Sequence, residues 1–175
     1  MILGLSIAAF TTLHVIISLI AIASGFVVMF GMLGAHRLPG WTALFLLTTV
    51  LTSVTGFLFP IHGFTPALGT GAVSLVLLAA ALIALYAKHL AGAWRWIYVV
   101  TAIAALYFNV LVLIVQSFEK LALLNPAAPV VGPPFAGPTN THFVIAQVAA
   151  LVLLVVLGVL AVLRFRPAPP ISSYR

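Results

Sequence analysis

Cysteine is absent from this chain of 175 residues, and a single acidic side chain, Glu119, stands beside seven lysines and arginines. Without cysteine there is no disulfide, thiolate nucleophile, iron–sulfur ligation or cysteine zinc site. With one carboxylate, paired acid and base groups and carboxylate-rich metal cages are excluded, and a Ser-His-Asp triad finds no aspartate at all. Any chemistry the chain performs alone falls to His, Tyr, Ser, Thr and amides, or to a bound cofactor. No catalytic activity of its own is expected.

Charge of either sign is scarce too. Charged residues make up 5% of the chain and hydrophobic ones 65%, with a mean hydropathy of +1.35. A soluble surface needs roughly 25% charge, so the solvent of this chain is expected to be a bilayer. Crossing the hydrocarbon takes about 20 apolar helical residues at about 1.5 Å each. Five segments reach that length: about Leu5 to Leu33, Trp41 to Phe59, Ala67 to Ala87, Trp94 to Phe118, and His142 to Leu163. Lipid offers the backbone no hydrogen bonds, so each should be a helix. The expected fold is all-α, one domain over residues 1–166 made of five transmembrane helices, followed by a cytoplasmic tail from Pro167.

The few charges orient this bundle. Arg37 follows the first span, Lys88 and Arg95 lie between the third and fourth, and Arg164, Arg166 and Arg175 follow the fifth, leaving only Lys120 on the other side. By the positive-inside rule the N-terminus lies outside and the C-terminus in the cytoplasm. Trp41, Trp94 and Trp96 then fall at the cytoplasmic headgroup level. The pI near 10.6 does not mark nucleic acid as a partner, because the basic residues are scattered over several loops and form no dense patch. The lipid bilayer is the first partner expected.

Breakers divide the spans. Gly34 to Gly40 is a short turn, Pro60 to Pro66 an external turn, Lys88 to Ala93 a tight cytoplasmic turn, and Asn125 to Thr141 an external loop with five prolines that rules out regular helix. Trp41, Phe45 and Thr48 recur as Trp94, Tyr98 and Thr101 at a spacing of 53 residues. A duplicated two-helix unit explains this echo, and shared interfacial anchoring explains it equally. Ala80, Ala84 and Ala87, and Ala146 with Ala150, are spaced for close helix packing.

Polarity inside the spans is concentrated in their outer halves. Thr11, His14 and Ser18 share one face of the first helix, and Thr101, Ala105, Asn109, Val112, Gln116 and Glu119 one face of the fourth. Counted from Leu5 and Glu119, His14 and Asn109 each lie roughly 14 to 15 Å down and should meet at one level. Gln147 enters from the fifth span, Thr52 and Thr55 from the second, Thr70 and Ser74 from the third. Amides and imidazoles avoid lipid, so these groups should turn inward. The outcome is either a dry hydrogen-bonded seam or an outward-opening pocket whose ligand-binding residues are His14, Asn109, Gln116 and Gln147. Phe10, Tyr107 and Phe108 are candidate apolar walls.

Haem is a separate alternative. His62 and His142 are both external and can share a haem or another metal at the rim, although two imidazoles alone are an incomplete ligand set. Otherwise they are ordinary loop and helix-end histidines. Glu119 and Lys120 read either as a gate or as a solvated helix end.

The stretch Arg37-Leu38-Pro39-Gly40-Trp41 through Thr55-Gly56-Phe57, with Ala93 to Tyr98 and Asn109 to Gln116, resembles small multi-span bacterial inner-membrane proteins with no established activity. The resemblance implies a bacterial inner-membrane location and the same span count. The functional expectation is an accessory subunit that packs against a larger membrane protein partner, with a lipid or quinone-like molecule in the outer pocket. The rival is a small transporter or channel entered through that pocket, and a b-type haem electron-transfer protein is a third class.

Overall fold

The computed structural model describes residues 1–60, 66–121 and 141–166. The Pro-rich loop, His62 and the tail from Pro167 lie outside these described residues. Among them the chain forms helices only: α1 (Ile7–Leu33), α2 (Pro39–Gly56), α3 (Pro66–Leu82, continued by a π-helical turn over Ile83–Ala87), α4 (Trp94–Lys120) and α5 (Thr141–Arg164). Four of these, α1, α3 with its π turn, α4 and α5, are long and apolar enough to cross a membrane.

The fifth, α2, is shorter than its sequence suggests. It ends at Gly56 rather than Phe59, after which Phe57 and Leu58 close turns onto Val54 and Thr55. At 18 residues its length is near the lower limit for a span, and its threonines dilute its apolarity.

Local chemistry sets the other ends. The Ser6 hydroxyl accepts from the Ala9 N–H at 3.2 Å and caps α1. At the far end His36 N–H bonds Gly31 O and Ala35 N–H bonds Met32 O, a Schellman closure with Ala35 in the left-handed region at φ +58°. Pro39 starts α2, where a missing N–H costs nothing. The Lys88 to Ala93 turn is as tight as expected: His89, Leu90 and Gly92 all take positive φ, and Leu90 folds back into the core. Lys88 Nζ sits 5.6 Å over the Trp94 ring.

Helix α4 is the hub. It packs against each of the other four helices, whereas α5 leans mainly on α4 and α1. Arg95, read from sequence only as an orienting charge, donates to Val162 O at 3.0 Å and to Phe165 O at 2.5 Å. It thereby satisfies carbonyls that the end of α5 would leave bare, with a cation at the favourable pole of the helix dipole. Of the alanines expected at seams, Ala84 is buried, Ala80 and the α5 pair Ala146 and Ala150 are half-buried, and Ala87 is exposed. Ala81 takes the seam position beside Ala84 instead, and the extra residue per turn after Leu82 carries Ala87 away from it.

Three helices meet closely at Gly25. A Cβ there would lie 2.7 Å from Leu106 Cδ1 of α4 and 2.9 Å from Phe45 Cε2 of α2, and both side chains are almost wholly buried. Around this point Val28, Met29, Leu78 and Val99 complete an apolar core. The opposite faces carry exposed Leu, Ile and Val, most densely along α5. Gly25→Val is expected to lower stability by about 1 to 3 kcal/mol through overpacking, read as a fall in unfolding temperature in detergent.

Candidate functional site

On the N-terminal side of Gly25, α1 to α4 enclose a cavity of 620 Å³. Its wall is mostly apolar, with Val15, Leu19, Ile22, Phe57, Val112 and Leu113, and carries polar groups from all four helices: Thr11, His14 and Ser18, then Thr52 and Ser53, Thr70 and Ser74, Asn109, Gln116, Ser117 and Lys120. Beneath Ile22, Ser74 and Asn109 the packed core around Phe45, Leu78 and Leu106 forms a floor.

His14 is held from two sides. Its Nδ1 lies 2.7 Å from Thr55 Oγ1, and its ring stands edge-on to Phe59 at 5.3 Å between centroids. Phe59 also meets Phe10 at 5.0 Å, so Phe10 is buried behind the wall and does not line it. Ser18 donates to the His14 carbonyl at 2.7 Å and reaches Thr52 Oγ1 at 3.3 Å. These bonds cross-link α1 to α2, so seam and cavity coexist on one face.

Asn109 is deeper. Its Nδ2 donates to Thr49 Oγ1 at 3.2 Å, and both groups are buried. Thr49 and Thr55 are six residues apart on α2, about 9 Å along the axis. Measured from the contact of Gly25 with Leu106, His14 is about 16 Å outward along α1 and Asn109 only about 4.5 Å along α4. The expected meeting of the two at one level is therefore not what the helices make. The reason is that α1 extends past the end of α4, so Leu5 and Glu119 do not share a plane. Gln116, ten residues beyond Leu106, is the α4 amide nearest the level of His14, and its Nε2 donates to Glu119 at 3.3 Å.

Gln147 stands apart. Its Nε2 donates to Leu111 O of α4 at 3.1 Å while Oε1 is buried without a partner among the described residues; it joins α5 to α4 and is not part of the cavity lining. Tyr107 likewise lines a separate apolar groove of 360 Å³ between α4 and α5, whereas Phe108 does line the cavity. Ser117 is a wall residue that the sequence reading passed over, and Lys120, read from sequence as a gate or a solvated helix end, lies one turn beyond Gln116 and lines the wall with it.

Protein-family models, characterised proteins and solved structures were all compared with the chain, and none matches. The site is therefore read from its own chemistry. Among the described residues no group of three or more His, Cys, Asp or Glu is placed to hold a metal, and the pairing of His142 with His62 involves a residue outside them. What the wall offers is hydrogen bonds in an apolar setting, with one cation, Lys120, toward the outer end.

Ser74 Oγ is buried and has no hydrogen-bond partner among the described residues. Ser74→Ala removes a desolvated hydroxyl, so the ligand-free protein should gain about 1 kcal/mol, seen as a higher unfolding temperature in detergent.

Proposed function

We propose that this chain is a non-catalytic integral membrane protein that holds a lipid or quinone-like molecule in the cavity of α1 to α4. The observation that carries the reading is the convergence of His14, Ser18, Thr52, Ser74, Asn109 and Gln116 on one largely apolar space. Its volume is within the ordinary range for small-molecule sites, about 300 to 1,000 Å³. The packed core beneath it supports retention of a ligand over passage through the bundle, since a transporter or channel needs polar lining that continues inward.

In this reading α2 spans the bilayer with the other four helices, and the chain sits in a bacterial inner membrane with its N-terminus outside. The exposed Leu, Ile and Val of α5, where Leu154 and Ala161 are the buried positions, face acyl chains or the larger complex of which the protein is an accessory subunit. The apolar exterior supports immersion in lipid, and the clustering of Arg and Lys supports the orientation.

The lack of native cysteine makes orientation directly measurable. A membrane-impermeant maleimide should label Leu3→Cys on intact spheroplasts and His36→Cys only after lysis; the reverse pattern would invert the topology. The cavity is tested by native purification followed by mass spectrometry of proteins and small molecules. An amphiphile should accompany the wild-type protein in near-stoichiometric amount and fall several-fold in His14→Leu, with the unfolding temperature nearly unchanged. Equal retention in both would leave His14 as a helix cross-link only. A stoichiometric larger protein in the same preparation supports the accessory role, and isolation of a lone species counts against it.

A further inference from the structure

Around His14 the hydrogen-bonding wall of the cavity leans toward acceptors. A hydroxyl carries one proton, and several of those lining the space have already given theirs to their own helix. Thr11 donates to Ile7 O at 2.8 Å, Ser18 to His14 O at 2.7 Å, and Ser117 to Leu113 O at 2.7 Å. What each has left is lone pairs.

His14 follows the same rule through Thr55. Thr55 Oγ1 lies 2.7 Å from Leu51 O, the back-bonding geometry that Thr48 and Thr101 repeat at 2.7 Å each, and its proton is assigned to that bond. With the proton so placed, the short contact between Thr55 Oγ1 and His14 Nδ1 is an N–H donated by the imidazole. No acidic side chain lines the cavity, so nothing there compensates an imidazolium, and the ring carries a single N–H. Nε2 is therefore an acceptor, and it has no partner among the described residues. At greater depth one of the two Asn109 N–H groups is taken by Thr49, and the second remains a donor. Ser74, buried and unpartnered, is the deep hydroxyl free to give or to accept. Other donors on the wall are the Ser53 hydroxyl on α2 and, toward the C-terminal end of α4, the Gln116 amide and the Lys120 ammonium.

We infer that the cavity selects an amphiphile whose polar head donates a hydrogen bond, a neutral alcohol or phenol, over one that offers only carbonyl oxygens. This rests on the binding reading above. A carbonyl head brought to His14 sets lone pair against lone pair and leaves two acceptors desolvated, whereas a hydroxyl satisfies Nε2 and can still accept from Ser74 or a neighbour. A cationic amine would also donate, but it would meet Lys120 in a cavity lined by no acidic group. For a quinone-like ligand the preferred form is the reduced hydroquinone.

The test uses the full chain in lipid nanodiscs, with empty nanodiscs subtracted. The probes are an alkyl hydroquinone kept reduced, the matching alkyl benzoquinone, and a straight-chain alcohol of equal length. The hydroquinone should bind about tenfold more tightly than the benzoquinone, the size expected from one or two hydrogen bonds made or lost. Thr55→Val frees Nδ1 and lets the ring present either nitrogen, so the preference should fall toward parity while binding persists. Equal affinity of both forms for the wild-type protein would overturn the inference and leave the binding reading intact. No binding of any probe would sink both. Straight-chain alcohol binding as tightly as the hydroquinone would identify a lipid alcohol as the source, and weaker binding a phenol.

Discussion

The close approach of α1, α2 and α4 at Gly25 is the constraint on which the remaining geometry depends. Because Phe45 and Leu106 occupy the space a side chain would take, the three helices have one common point from which every level is counted. That point fixes which residues face one another outward of it. It also separates the packed core around Phe45, Leu78 and Leu106 from the cavity that the same helices line on the N-terminal side of Gly25. Small-residue contact of this kind is the usual means by which helices associate when lipid removes the hydrophobic drive between them.

Much of this was readable in the residues. Length and apolarity announced the helices within a few residues of their ends, and the three- and four-residue spacing of Thr11, His14 and Ser18 put them on one face, as the cavity lining bears out. Which element meets which at a given depth was not readable. Depth was counted from the polar ends of each span, and α1 overhangs α4, so His14 stands near the level of Gln116 while Asn109 lies a helical turn or two below. Gln147 shows the other limit. It bonds Leu111 O of α4 instead of reaching the cavity, because the rotation of α5 about its own axis is set by tertiary packing that periodicity in one helix does not encode.

The polar groups are arranged so that burial costs little. Serines and threonines bond back to carbonyls one turn earlier, a habit that lets a hydroxyl sit in an apolar bundle without a partner on another helix. The same economy gives the cavity its character, since each hydroxyl so satisfied shows the interior only its lone pairs. Composition alone would describe this wall as amphoteric. The back-bonds of Thr11, Ser18 and Ser117 shift that balance toward acceptors.

The clasp of Arg95 on Val162 and Phe165 has a consequence for biogenesis. The guanidinium leaves the ribosome some seventy residues ahead of the carbonyls it holds, so the start of α4 lacks these partners until the end of α5 has been made. Synthesis of the final turn of α5 supplies the missing acceptors and closes the bundle. Chains that stop before Val162 would lack that clasp, and with it the tie between the start of α4 and the end of α5.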